Sequence, residues 1–242
     1  MNTASLSLSQ SQHYRHLLLH HRWFAERSPA LQEILWQQGQ LKTLSSKQRM
    51  FARGQAFDGI YAVLDGMLRI SGHHATGKEA LLAWVFPGQW FGEIALIDGL
   101  SRTHEVVAEQ DALLLWIPAE ALHRLLQQQP EYWRDMALLV THKIRLLMQY
   151  FEEASVSSVE TRLISRLMFM AQSVNPLSEA PTRLHLSQEQ LADLLAVSRQ
   201  TANQCLKQFE HKGWIRLGYR YIDLLDTDAL EQACLSPEQR AN

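Results

Sequence analysis

The chain is poor in the residues that usually mark a redox centre, a secreted scaffold or a membrane protein. It has only two cysteines in 242 residues, Cys205 and Cys234. Two thiols make neither a disulfide framework nor a four-ligand metal site, which argues against cysteine-ligated iron–sulfur sensing. No apolar run approaches the roughly 18–20 residues of a membrane span. The first apolar stretch, Leu17–Leu19, is far too short for a signal peptide. These absences point to a cytoplasmic, reducing setting and to no membrane partner. There is no Gly-rich nucleotide loop, nucleophile elbow or metal-protease motif, so nothing supports an enzyme. A strong charge of either sign is missing too. The formal net charge of −2 excludes a uniformly basic nucleic-acid binder, though not a local basic face.

What is present is an ordinary globular composition, 46% hydrophobic and 20% charged, long enough for two modest domains. Met1–Gln12 is polar and Ser-rich and reads as a disordered tail. Leu17, Leu18, Phe24, Leu31, Ile34 and Leu35 recur at helical spacing, so one or two short helices follow. Among the 11 histidines, His13, His16 and His20 have the spacing that could place two on one helical face. With no carboxylate or Cys in register, they read as surface histidines rather than metal or haem ligands. The pair His73-His74 reads as part of a solvated hairpin turn.

From Gly54 the pattern changes to short strands. Ile60–Leu64 runs into the Asp65-Gly66 turn, and Met67–Ser71 then alternates at period two. Ala80–Phe86, Val106–Ala108 and Ala112–Ile117 read as further strands, with turns at 72–77 and Pro87-Gly88. Short strands at close spacing indicate an antiparallel barrel or jelly roll. After Pro130 the period reverts to helical: Met136, Val140, Ile144, Leu147, Phe151 and Ala154 follow in steps of 4, 4, 3, 4 and 3. A second stripe, Leu139, Leu146 and Tyr150, lies beside this seam. One face can pack on the barrel while the other pairs with a second chain, so the segment is read as a dimerisation helix. Ser157 with Glu160 has capping-box spacing, which places a helix start and the domain boundary at this Ser-rich break.

Beyond Thr161–Ala171, Ser187 with Gln190 is another capping box, opening a helix over Gln188–Leu195. Ala196-Val197 turns into Ser198, an N-cap for a helix over Arg199–His211, and Gly213 stands where a C-terminus favours left-handed backbone. Two short helices joined by a tight turn form a helix-turn-helix. Its second helix would present Arg199, Gln200, Asn203, Gln204 and Lys207 to the major groove and bury Ala202, Leu206 and Phe209. Ser187, Ser198 and Thr201 offer hydroxyls to phosphates. Between Thr182 and Tyr221 six basic residues (Arg183, Arg199, Lys207, Lys212, Arg216, Arg220) stand against three acidic ones (Glu189, Asp193, Glu210), a local +3. Trp214–Ile222 then reads as a β-hairpin, the wing.

Two stretches resemble the CRP/FNR superfamily, the cyclic AMP receptor type, within a likeness running from about Trp23 to Asp226. One is Pro87-Gly88-Gln89-Trp90-Phe91-Gly92-Glu93-Ile94-Ala95-Leu96-Ile97 with Ser101-Arg102-Thr103, similar to a phosphate-binding cassette. The other is Val197–Gln204, similar to the family's recognition helix. The resemblance implies an α+β chain: an N-terminal cyclic-nucleotide-binding-type β-barrel (jelly roll), a long dimerisation helix and a C-terminal winged helix-turn-helix. The expected layout is an N-terminal arm at 1–22, an effector domain at 23–129, the helix at 130–156, the DNA-binding domain at 157–235 and a tail at 236–242. The implied effector site comprises Phe91, Gly92, Glu93, Ile94, Ala95, Arg102 and Thr103. In it Arg102 and the free N–H groups opening a short helix would hold a phosphate, and Glu93 would accept a ribose hydroxyl. An Arg102–Glu93 ion pair closing an empty cassette is the alternative.

Three departures separate the chain from the cyclic AMP type. His104 stands where a small residue is usual, and the adenine-gripping hydroxyl pair falls at Leu147 and Met148, the residues expected to face an effector from the long helix. Ala196 replaces a Gly in the turn. The effector is therefore left unassigned, with a cyclic nucleotide disfavoured. The function expected is a dimeric, sequence-specific transcription regulator on a palindromic double-stranded DNA operator, with RNA polymerase as a further partner through the loop at Ser173–Thr182. Alternatives are a sensor that signals through protein contacts, and a ligand-independent regulator with a vestigial cassette.

Overall fold

The computed structural model describes residues 6–73, 79–174 and 182–234. The chain divides into two compact units, Met1–Leu146 and Leu147–Asn242. His74 and most of the Ser173–Thr182 loop lie outside the described residues.

The first unit opens with three helices, α1 (Leu8–Leu19), α2 (Arg22–Ala25) and α3 (Pro29–Gln38). Helix α1 begins inside the segment expected to be a disordered tail. Ser7 and Gln10 form a reciprocal capping box that the polar composition hides, and Leu17 and Leu18 anchor the helix in the core. In α3, Pro29 occupies the first turn and Ser28 Oγ accepts the Leu31 amide at 3.2 Å.

Among the described residues eight strands and two helices follow: β1 (Gln40–Leu44), β2 (Arg49–Phe51), β3 (Gly59–Asp65), β4 (Leu68–His73), β5 (Glu79–Val85), β6 (Trp90–Phe91), α4 (Ile94–Asp98), β7 (Glu105–Ala108), β8 (Ala112–Pro118) and α5 (Ala119–Gln128). They form two antiparallel four-stranded sheets, β1-β8-β3-β6 and β2-β7-β4-β5, a jelly roll rather than a closed barrel. The sheets begin at Gln40, well before Gly54: β1 and β2 are too short to show a strand pattern and gain their order by pairing with β8 and β7. Central β3 is buried on both faces. Tyr61 and Val63 join Phe51, Leu68, Val85, Phe91, Val106 and Leu114 in one core cluster. Ile60, Ala62 and Leu64 pack in a second cluster with Trp23, Phe24, Leu35, Trp90 and Leu122.

Helix α6 (Tyr132–Val156) carries both seams foreseen in the sequence, but they divide differently along its length. Met136 and Leu139 belong to the core of the first unit. Ile144, Leu147, Met148 and Phe151 are exposed, so the outward part of the first seam starts only after Val140. Tyr150, from the second stripe, meets Phe169 edge-on at 6.3 Å.

The second unit contains α7 (Val159–Val174), β9 (Arg183–Leu184), α8 (Gln188–Leu194), α9 (Arg199–His211), β10 (Ile215–Gly218), β11 (Tyr221–Leu224) and α10 (Thr227–Cys234). The cap at the start of α7 is Ser158, one residue beyond the expected Ser157, with its Oγ accepting the Thr161 amide at 3.1 Å. Buried Leu163, Ile164 and Leu167 of α7, Leu191 of α8, and Leu206 and Phe209 of α9 form the core. The strands make a sheet in the order β10-β11-β9. Helix α10 was not anticipated; Asp226 Oδ1 accepts the Ala229 amide at 2.9 Å near its start. No helix among the described residues is long and apolar enough to cross a membrane.

Candidate functional site

The cassette is built by turns around one cation. Pro87-Gly88 reverses the chain into β6, and Gly92 follows with φ +91°, a conformation that favours glycine. A Cβ there would also lie 2.9 Å from Arg102 Nη1. Glu93 then opens α4, which at five residues is too short to supply much dipole, so Arg102 is the cassette's main charge. Its guanidinium, 3% exposed, donates from Nη1 to Gly92 O at 2.8 Å and from Nη2 to Gly59 O at 2.6 Å. Nη2 also donates to Asp58 Oδ1, forming an ion pair. The rings of Phe51 and Phe57 lie 4.4 and 5.1 Å from it. Arg102 Nε is buried without a partner.

Asp58 is held on its other side by the Tyr61 hydroxyl, which donates to Oδ2. Burial, and then the Asp58 carboxylate, drives the Tyr61 hydroxyl well above the ordinary phenol range, so it remains a donor. Buried Glu93 pairs not with Arg102 but with Lys143 of α6, Nζ to Oε2 at 2.7 Å. In place of the alternative Arg102–Glu93 closure there are two pairs, Arg102–Asp58 and Glu93–Lys143. Phe91 stacks on Tyr61 at 5.4 Å and is part of the core. Ala95 is buried and Ile94 exposed. Thr103 Oγ1 is 3.0 Å from His104 Nδ1. Burial, and then Arg53, lowers the His104 pKa and favours its neutral form.

In the second unit, Ser187 Oγ accepts the Gln190 amide at 3.1 Å while Gln190 Oε1 accepts the Ser187 amide at 2.8 Å. The turn to α9 passes through Ala196 at φ +52°, and Ser198 Oγ accepts the Thr201 amide at 3.0 Å. The outward face of α9 exposes Arg199, Gln200, Gln204 and Lys207. Asn203 is half-buried and donates to Gln188 Oε1, bracing α9 against α8. Glu210 Oε1 accepts the Leu217 amide at 2.8 Å, tying α9 to the β10–β11 hairpin. Arg183 is committed to Asp223 in a two-bond pair of 2.6 and 2.9 Å.

Comparison with known proteins assigns both units. Residues 41–129 match the cyclic nucleotide-binding domain and residues 161–233 the Crp-like helix-turn-helix domain. The chain belongs to the CRP/FNR family of transcription regulators. It is 26% identical over 183 residues to a CRP-like cAMP-activated global transcriptional regulator of Mycobacterium tuberculosis, covering 75% of this chain and 82% of that one. It is 27% identical over 184 residues to the cyclic AMP receptor protein of Thermus thermophilus, covering 76% and 82%. Among solved structures, a CRP/FNR-family transcriptional regulator from Thermus thermophilus aligns with TM-score 0.65 at 24% identity, over 81% of this chain and 98% of that one.

Within this CRP/FNR chain the fold brings Gly92, Glu93 and Arg102 together with three residues that the sequence did not single out, Asp58, Tyr61 and Lys143. Asp58 lies on the loop before β3 and Lys143 on α6, and neither carries a motif that points to the cassette. Leu147 and Met148 are exposed on α6.

Proposed function

We propose that the protein acts as a homodimer on a two-fold-symmetric double-stranded DNA operator. One α9 helix would enter the major groove of each half-site. The observation that carries this reading is the face of α9, where Arg199, Gln200, Gln204 and Lys207 stand exposed beyond a helix start fixed by Ser198. Arg199 reads a guanine in each half, and Gln200 or Gln204 prefers adenine. Ser198 and Lys207 serve the phosphates, while Ser187, Thr201 and Asn203 chiefly hold the motif's geometry. The pairing surface is the exposed stripe Ile144, Leu147, Met148 and Phe151 on α6.

The jelly roll regulates this activity through an anionic effector held by Arg102. Lys143 links Glu93 of the cassette directly to α6, which supports coupling between the cassette and the pairing helix. RNA polymerase is the partner proposed for the segment 173–182, most of which lies outside the described residues. Selection of bound sequences from random duplexes tests the DNA reading; an inverted repeat with guanine at matching positions is expected, and enrichment of no palindrome would overturn it.

A further inference from the structure

We infer that Asp58 is an internal counter-anion occupying the place of the effector's anionic group, so that an effector binds by exchange with this carboxylate. The inference rests on the effector reading of the cassette and specifies what the incoming group must displace.

A guanidinium that is 3% exposed and lies against two phenyl rings cannot be left without an opposite charge, and Asp58 supplies it. The two partners are unequally committed. The Asp58 side chain is 44% exposed and can turn into water, whereas Arg102 is fixed by the carbonyls of Gly92 and Gly59. The pairing is also incomplete. Nε–H and one Nη2–H lie along the same edge of a guanidinium, the edge that an oxyanion takes bidentately. Asp58 takes Nη2 and spends its other oxygen on the Tyr61 hydroxyl, leaving Nε buried and unpaired. A tetrahedral oxyanion has enough oxygens to accept from Nη2, Nε and Tyr61 together. The favoured ligand class is therefore a phosphorylated molecule, and Asp58 sets the threshold it must exceed.

Inorganic phosphate and cyclic AMP are titrated separately into the full-length protein, its Asp58→Asn and Tyr61→Phe variants, and Asp58→Asn/Arg102→Ala, with binding read by calorimetry and by the melting temperature. Asn keeps the shape and an accepting oxygen but removes the charge. At least tenfold tighter phosphate binding in Asp58→Asn, lost in the double variant, is the expected result. Equal phosphate affinity in Asp58→Asn and the unmodified protein, or no binding in either, overturns the inference. Should Asp58→Asn fold poorly, Tyr61→Phe carries the comparison in the opposite direction: it removes a donor to the oxyanion and frees an Asp58 oxygen for Arg102 Nε, so weaker phosphate binding is expected and unchanged binding overturns the inference. A phosphate gain without any cyclic AMP binding leaves the exchange standing and removes cyclic AMP as the effector.

Discussion

Lys143 Nζ on the long helix lies 2.7 Å from Glu93 Oε2, so the cassette and α6 share one charge pair whose carboxylate end is buried. Removing the cation strands Glu93 as an unpaired buried charge. Lys143→Met should destabilise the first unit by about 2 kcal/mol, less than for a fully buried pair because Lys143 is itself partly exposed. Glu93→Gln on that background should recover much of the loss. Urea unfolding of the two single variants and the double variant measures the coupling; strictly additive effects would show that the pair holds nothing together.

His21 is the N-cap of α2, with Nδ1 buried and unpartnered. Burial first, then Lys143 and His142, lowers its pKa from 6.5 to about 4. Because the folded state holds this histidine neutral, the unfolded chain takes up a proton more readily below pH 6.5. Its contribution is therefore present in full above pH 6.5 and lost as pH falls towards 4, by about 3 kcal/mol in all. His21→Gln should flatten the stability profile between pH 6.5 and 4, measured by denaturant unfolding. An unchanged slope would place the acid sensitivity elsewhere.

Ala196 turns α8 into α9 at φ +52°. Ala196→Gly relieves that backbone and should stabilise the helix-turn-helix by about 0.5–1 kcal/mol, a few degrees in melting temperature, even after the greater freedom glycine brings to the unfolded chain. A lower melting temperature would show that the left-handed turn carries no strain.

The legibility of these features in sequence follows the range of the interactions behind them. Helix α9 ran Arg199–His211 in both readings because Ser198 and Gly213 are local signals, and β3 was plain from its apolar run into Asp65-Gly66. Helix α1 was missed because Ser7 and Gln10 sit in a polar stretch that resembles a tail, while its burial rests on only Leu17 and Leu18. Arg102 was found through its cassette motif. The one counter-charge weighed for it was Glu93, as the alternative to a phosphate, whereas the chain's return through β3 delivers Asp58, 44 residues away. The Glu93–Lys143 pair spans 50 residues and was invisible for the same reason.

Arg199 and Lys207 are both exposed on α9, yet different losses are expected from them. Arg199→Ala should weaken operator binding by about 1–3 kcal/mol for each half-site and relax base preference at one position in each. Lys207→Ala should weaken binding on all duplexes alike and lower the salt-dependence slope by about 2, roughly one for each half-site. Fluorescence anisotropy on operator and scrambled duplexes across a salt series separates the two. A uniform, sequence-blind loss from Arg199→Ala would remove it from base reading.

Phe151 is 67% exposed on α6, in line with Ile144, Leu147 and Met148 and well away from Met136, which the first unit's own core claims. A charge introduced there is solvated in a monomer but buried between paired helices, so Phe151→Glu should leave the fold intact and break the dimer. Light scattering should show the mass halved at micromolar concentration, with an unchanged circular dichroism spectrum. Operator affinity should fall with it, because each half-site would then be bound without help from its neighbour. A variant that stays dimeric and binds the full operator unchanged would move the pairing surface off this stripe.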